Sequence, residues 1–360
     1  MAAPYAGGAA AVVGADAFNE LDEYRPFTSA YDFSIVHHPN KGKAVRAKRA
    51  LASDYDVLIE IPLVCWPLHM FSSAANESQS LSIPWCEQCL KILPDKTADE
   101  AGAPLFCSVT CEQQGGQWVK MMQKGALARL RGWQREHGKD SPVTVEAVAR
   151  CIARVAGTTC QLLPSLRDDG RAAEGDALRA AFSLACRPFE RLVAPHTAEV
   201  ADFDVSSATA LLSGELRGAI AEHLSDEELT ATLVSSDTVS LLLGQLMLNA
   251  QSLTIAAFVP QCEGLCVLKA AGVCVLQSSF NHSCVPNCAV GSLKEDSTLT
   301  VTTLREISAG EELCISYIDC SLPLASRQEK LMHYLFVCEC PKCLEQRGIQ
   351  LEGHKAQTSS

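Results

Sequence analysis

Basic charge is in short supply: 30 Lys and Arg stand against 42 Asp and Glu, a formal net charge of −12. A binder of nucleic-acid backbone, which gains affinity by neutralising phosphates, is therefore not expected. The acidic balance suits a Lys/Arg-rich protein partner, and simple solubility accounts for it equally well. Long apolar runs are missing too. No stretch reaches the roughly 20 residues needed to span a bilayer, so no membrane contact is expected. The start, Met1-Ala2-Ala3-Pro4, is Ala/Gly-rich with Asp16 and Glu20. It has no basic region before an apolar run, so it does not read as a secretory signal. Internal repeats are absent. Hydrophobic content of 48% and charged content of 20% over 360 residues describe an ordered globular chain with room for two or three cores.

Cysteine is what the chain has in abundance, 18 in all. With no secretory signal, a reduced compartment (nucleus and/or cytoplasm) is expected, where clustered cysteines bind zinc more often than they form disulfides. Cys86-x₂-Cys89 and Cys107-x₃-Cys111 form two short-spaced pairs. Each pair can bite one metal from a tight turn, and four thiolates at about 2.3 Å complete a closed structural zinc site. The blander reading is four unrelated core cysteines. Cys338-Glu339-Cys340-Pro341-Lys342-Cys343 offers three more thiolates and leaves one tetrahedral position open. Cys262 and Cys266, with Cys65, Cys151, Cys160, Cys186, Cys274, Cys288, Cys314 and Cys320, read as small buried hydrophobes.

Pattern divides the chain into seven segments. Residues 1–28 read as a disordered Ala/Gly-rich extension. Short strands at Ala44–Ala47 and Val57–Ile61 occupy 29–80, and 81–117 is a turn-rich, metal-ordered unit. Residues 118–249 are helical. Leu178, Phe182, Cys186 and Phe189 follow three- and four-residue steps, and Ser225-Asp226-Glu227-Glu228 makes a capping box. Strands return over 250–320, where Leu265–Lys269 and Val273–Gln277 flank Ala270-Ala271-Gly272 as a short hairpin. Leu299, Val301 and Thr303 alternate in another strand, and Leu313–Tyr317 forms the last. A cysteine segment (321–346) and a flexible tail (347–360) follow. The class expected is α+β.

Asn281-His282-Ser283-Cys284, then Glu311-Glu312-Leu313-Cys314-Ile315-Ser316-Tyr317, then the Cys338–Cys343 cluster, in that order, resemble the SET-domain protein lysine methyltransferases. Within them, the SET-and-MYND (SMYD) branch is the nearest, and Tyr334 to Leu344 looks most like the fifth SMYD-type subgroup and the related plant trithorax-like proteins. The resemblance covers Tyr31 to Gln346 and is weakest through the helical insert. It implies a β-rich SET domain with a threaded C-terminal segment, interrupted by a reduced MYND-like zinc finger and a helical insert, and closed by a post-SET zinc cluster. Implied cofactors are S-adenosylmethionine and two structural zinc ions. Implied partners are lysine-containing protein substrates, a histone or a ribosomal protein.

Site roles follow from the same resemblance. Tyr317 is the catalytic residue, beside the transferred methyl. Gly42, Lys43, Ala44, Asn249, Ser278, Asn281, His282, Tyr317 and Phe336 contact the cofactor, and Tyr334 lines the lysine channel. Zinc ligands are Cys86, Cys89, Cys107 and Cys111 at one site, and Cys338, Cys340, Cys343 and Cys284 at the other. The chain departs from the family pattern in three places. The finger lacks its second metal pair and the closing His-x₃-Cys. Cys343 is followed by only 17 residues, so the C-terminal helical-repeat domain of many relatives is not expected. Ala44 stands where the family has a second glycine; if that residue needs φ > 0, its methyl costs roughly 1 kcal/mol. A zinc-stabilised adaptor that kept the fold and lost catalysis is the second reading.

Overall fold

The computed structural model describes residues 20–73, 83–95, 105–122, 125–137, 142–168, 174–195, 204–260, 264–292 and 295–348. Residues 1–19 of the expected extension, Cys262, and positions 349–360 of the expected tail lie outside the described residues. The fold is α+β. Strands β1 (Phe33–His38), β2 (Gly42–Ala47), β3 (Asp56–Glu60) and β4 (Val64–Ser72) follow helix α1 (Arg25–Thr28). Helices α2 (Val109–Met121), α3 (Ala126–His137), α4 (Val145–Asp168), α5 (Glu174–Glu190), α6 (Val205–Leu224), α7 (Glu227–Leu233) and α8 (Ser236–Asn249) come next. The remainder is β5 (Ala250–Phe258), β6 (Leu265–Val273), β7 (Asn281–His282), β8 (Cys288–Ser292), β9 (Leu299–Thr303), β10 (Cys314–Ile315), α9 (Leu324–Met332) and α10 (Pro341–Gln346).

The chain divides into two compact units, the first made of 1–59, 276–291 and 300–360 and the second of 60–275 and 292–299. In the first, β1 and β2 form an antiparallel pair in which Val36 faces Ala44. The two-residue strands β7 and β10 run parallel, Asn281 beside Cys314 and His282 beside Ile315. The segment before β10 is laced onto β2: Ala47 N–H donates to Glu311 O at 3.0 Å and Leu313 N–H to Val45 O at 2.8 Å. The last strand is thus two residues long rather than Leu313–Tyr317, because only that stretch finds a β partner.

The expected extension ends earlier than residue 28. Glu20 bridges to Val36, Tyr24 is only 2% exposed, and the buried Thr28 hydroxyl donates to Glu20 Oε1 at 2.7 Å. Burial of one aromatic and one satisfied carboxylate orders 20–28 where composition alone reads as disorder.

The second unit is helical around α4, with the sheet β4-β6-β5 beside it. Helix starts obey local chemistry. Ser108, Asp204, Asp226 and Ser235 each accept a backbone N–H at the N-caps of α2, α6, α7 and α8. In the Ser225–Glu228 box, Asp226 is the cap, while Ser225 takes the left-handed conformation (φ +52°) that ends α6. The hairpin expected at Ala270-Ala271-Gly272 is not formed. Strand β6 runs unbroken through it, pairing with β4 on one side and β5 on the other. Its small residues answer to packing instead of turning: a Cβ on Gly272 would stand 3.1 Å from both Leu253 and Pro62. Residues 250–275 consequently sort with the helices, and α2 begins at Val109, inside the segment assigned to the metal unit.

Candidate active site and cysteine clusters

In the second unit, Cys86, Cys89, Cys107 and Cys111 bring their sulfurs within 4.8 Å of one another. A tight turn makes the first pair: Cys86 N–H donates to Lys91 O and Leu90 N–H to Cys86 O, with Leu90 in the left-handed region at φ +63°. The second pair straddles the start of α2, where the Ser108 hydroxyl accepts from Cys111 N–H at 3.2 Å. Sulfur separations of 3.6 Å (Cys89–Cys107) and 3.4 Å (Cys107–Cys111) approach the roughly 3.8 Å edge of a tetrahedron with 2.3 Å bonds. From α4, the fully buried Arg150 donates to Glu87 O at 2.9 Å and pairs with the Glu87 carboxylate, holding the first turn in place. This quartet could hold one metal ion.

The first unit holds a second quartet. Cys284, two residues past the end of β7, lies 3.6 Å from Cys343 and 4.0 Å from Cys338, and Cys340 completes the group. Gln328 of α9 fixes Cys338 twice, accepting from its N–H at 3.0 Å and donating to its carbonyl at 3.1 Å. Around these sulfurs the segment has little other core. Leu331 is its fully buried aliphatic, with Tyr317, Tyr334 and Phe336 packed partly buried beside it. A metal-held cluster is what such a thin core needs. His282 and Cys320 also come within metal reach of Cys284. However, His282 Nδ1 accepts the Tyr317 N–H at 3.0 Å, so its proton sits on Nε2, which lies 3.3 Å from Cys284 Sγ and donates to it. A nitrogen carrying that proton is not a ligand. Burial, with Arg327 nearby, pushes the His282 pKa down to about 4, keeping the ring neutral.

Tyr317 is the meeting point of the first unit's aromatic residues. Its ring centroid lies 5.0 Å from Tyr334, 6.4 Å from Phe336 and 5.4 Å from His282. Its hydroxyl donates to Phe280 O at 2.6 Å, and Phe280 is itself locked edge-on against Phe33 at 5.8 Å. Burial and then the neighbouring Tyr334 push the Tyr317 phenol above its ordinary pKa, so at neutral pH it remains a donor. The wall is aromatic, with the Tyr317 hydroxyl fixed on Phe280 O, which suits a cation or a desolvated amine better than a phosphate.

Beside it lies a polar knot. Asn281 donates from one amide nitrogen to Lys43 O at 2.7 Å and to Glu312 Oε1 at 2.9 Å. The Lys41 ammonium closes on the same carboxylate at 2.8 Å. Burial raises the Glu312 pKa, but Lys41 and Asn281 more than offset it and the net shift is downward. Asn287 adds a second clamp, donating to Glu312 O at 2.8 Å and to Glu311 Oε1 at 2.9 Å while accepting from Cys314 N–H at 2.8 Å.

Gly42 opens β2 at φ +74°, with no atom within 4 Å of where a Cβ would stand, so the backbone edge is approachable. Ala44 is in ordinary strand geometry opposite Val36 and is completely buried. Its methyl points into the core and carries no left-handed penalty. These features fit a nucleoside sulfonium: an open glycine edge, a fixed carboxamide and cation-tolerant rings.

Of the cofactor residues expected from sequence, the first unit gathers Gly42, Lys43, Ala44, Ser278, Asn281, His282, Tyr317 and Phe336, with Tyr334. Asn249 belongs to the second unit, where its amide donates to Val193 O at 2.8 Å and Gln245 O at 2.7 Å, leaving Oδ1 for any other partner. Sequence reading missed Lys41, Glu312, Phe280, Asn287 and Arg327. The paired Glu311-Glu312 within the motif was the available signal for the second of these.

Comparison with known proteins adds a family and several relatives. The SET domain family matches residues 42–318, well over half of the chain. A human protein named protein-lysine N-trimethyltransferase SMYD5 is 48% identical over 87 residues, 23% of this chain and 19% of that protein. Arabidopsis thaliana histone-lysine N-methyltransferase ATXR2 is 49% identical over 72 residues, 19% of this chain and 15% of that protein. A longer alignment, 24% identical over 318 residues, joins 84% of this chain to 69% of Arabidopsis thaliana histone-lysine N-methyltransferase ASHR2. The matched stretch thus spans about a fifth of the length of the SMYD5 relatives.

Proposed function

The chain belongs to the SET domain family, and from that premise we propose that it is an S-adenosylmethionine-dependent protein-lysine N-methyltransferase with two structural zinc ions, one in each cysteine quartet. The observation that carries the reading is Tyr317: its ring stands against Tyr334 and Phe336 while its hydroxyl is fixed on Phe280 O. S-adenosylmethionine, when bound, supplies an electrophilic methyl on a cationic sulfur. Gly42, Lys43, Ala44, Ser278, Asn281, His282 and Phe336 are the proposed cofactor contacts, all within the first unit.

The residues present account for what the chain itself must do. A lysine amine reacts only when neutral, although its ordinary pKa is near ~10.4. Burial of the lysine amine against the Tyr334 and Tyr317 rings would disfavour the ammonium form, so that its proton passes to solvent water and no dedicated protein base is needed. The protonated Tyr317 hydroxyl and the Phe280 carbonyl then hold it in line. Alignment of this kind lowers barriers by several kcal/mol.

The proposed substrate class is supported by the relatives whose names specify protein or histone lysine, and the net charge of −12 is compatible with a basic protein. A histone or ribosomal protein, met in the nucleus or the cytoplasm, is the proposed partner. The test is calorimetric binding of S-adenosylmethionine to zinc-loaded protein, followed by labelled-methyl transfer to histones and ribosomal proteins. Micromolar binding, with transfer abolished in Tyr317→Phe, is expected. Binding without transfer to any lysine protein would return the chain to an adaptor role. No binding would remove the cofactor itself.

A further inference from the structure

Two arginines are buried among the described residues, and they solve the same problem differently. Arg150, in the second unit, meets carboxylates: Glu87 Oε2 at 2.5 Å and Glu146 Oε1 at 2.9 Å. Arg327 of α9, in the first unit, is 1% exposed and has no carboxylate partner among the described residues. Its Nε–H points at Cys284 Sγ (3.3 Å) and an Nη2–H at Cys343 Sγ (3.6 Å). The other Nη2–H donates to Gln346 Oε1 at 2.7 Å, and Nη1 donates to Leu322 O. Were these sulfurs neutral thiols, a guanidinium would be buried with dipoles alone for company, an arrangement its desolvation strongly disfavours. Thiolates resolve this. Four of them around one zinc ion carry a net charge of −2, itself hard to bury, and a guanidinium alongside brings the assembly to −1.

We propose that Arg327 is the outer-shell counter-charge of the Cys284–Cys338–Cys340–Cys343 cluster, and that its two N–H···S contacts determine how firmly this site retains zinc. This rests on the zinc reading of that quartet. The geometry makes the two halves interdependent. One fork of α9 touches Cys284, which follows β7, and Cys343, in the first turn of α10, so it bridges the two chain segments that the metal itself would join. Outer-shell partners of this kind typically change metal affinity by 10–100-fold. Arg also differs from Lys here, since only its planar fork reaches two sulfurs at once.

The experiment compares the full wild-type chain with Arg327→Leu, Arg327→Gln and Arg327→Lys. Zinc content is measured by elemental analysis, and zinc release to a chromophoric chelator is followed in time. The Cys86 quartet serves as an internal reference in every sample. Expected are two zinc ions in the wild type and, in both neutral variants, release of one of them about 10–100-fold faster. Cobalt-loaded neutral variants should show a shifted sulfur-to-metal charge-transfer band. Arg327→Lys keeps the charge but cannot reach both sulfurs, so its release rate should fall between wild type and the neutral variants; it and the polar glutamine keep the test decisive if the leucine variant does not fold. Wild-type release rates in the neutral variants, or a lysine variant as fast as leucine, would overturn the counter-charge role. A wild-type chain holding zinc only at the Cys86 quartet would overturn the zinc reading of the second site, and this role with it.

Discussion

The backbone N–H of Tyr317 donates to Nδ1 of His282 at 3.0 Å, so the imidazole presents its Nε2–H to Cys284. Three links of the motif are thereby in series: a metal-type thiolate, a neutral histidine and the amide of the residue proposed to face the methyl group. His282 is 8% exposed, and removing its acceptor strands a backbone N–H in a protein interior. His282→Phe should therefore cost about 1–3 kcal/mol in urea denaturation. His282→Asn, whose carbonyl oxygen can stand where Nδ1 does, should recover much of that loss, and His282→Phe should remain the worse of the two for methyl transfer. Equal stability of the two variants would mean the Tyr317 contact contributes nothing.

Glu312 gives a pH-dependent prediction. Its folded carboxyl titrates below the ordinary value, because Lys41 and Asn281 outweigh burial. A depressed carboxylate contributes stability above the unfolded pKa, and that contribution fades as pH falls through the folded one. Glu312→Gln keeps an oxygen for Asn281 but loses the ion pair with Lys41. Wild type should be the more stable near pH 7, and the gap should close as pH falls below the ordinary glutamate range. A gap that holds constant down to pH 3 would mean the carboxylate's charge is not what stabilises the knot.

The cysteine quartet of the second unit was legible because its ligands are local. Two-and three-residue spacings fix sulfur geometry within a single turn, whatever the rest of the chain does. The SET motif was legible for a similar reason, since β7 and the Glu311–Tyr317 run each carry a dense set of special residues. What stayed hidden depends on partners far away in the chain. Lys41 and Glu312 are 271 positions apart and each reads as surface charge alone. Arg327 looks like a solvated helix residue until its sulfur neighbours, 43 positions before it and 16 after, are in place. Ala270-Ala271-Gly272 misled in the opposite direction. Small residues serve turns and crowded strand centres alike, and only the Pro62 and Leu253 contacts distinguish the two.

Ala44 supplies a sharp test of backbone geometry. From the family pattern, a glycine here would be expected to relieve strain and improve cofactor binding. Its position opposite Val36 in β2, with no exposure, says the reverse. Ala44→Gly adds freedom to the unfolded chain and deletes a buried methyl, so it should lose about 1 kcal/mol of stability with S-adenosylmethionine affinity unchanged. Gly42→Ala, at φ +74°, should instead lose about 1 kcal/mol or more through strain and weaken cofactor binding at the same time. Calorimetry on the pair separates the two positions. Tighter binding by Ala44→Gly would show that the loop needs a conformation that β2 does not allow.

Metal stoichiometry tests whether the two quartets are independent. Cys86, Cys89, Cys107 and Cys111 belong to the second unit and Cys284, Cys338, Cys340 and Cys343 to the first, so the two share no ligand. Cys86→Ser should therefore lower bound zinc from two ions to one and melt the Trp85–Ile92 turn, while leaving cofactor affinity close to wild type. Cys338→Ser should also remove one ion, but through Cys284 and His282 it reaches Tyr317, so cofactor binding or methyl transfer should fall with it. A closed four-thiolate site supplies folding free energy and has no open position for chemistry. Activity lost on removing the second ion is thus a loss of geometry, recoverable when zinc is restored to a refolded sample. Equal effects of the two serine variants on cofactor binding would contradict this division and make both quartets part of one cooperative scaffold.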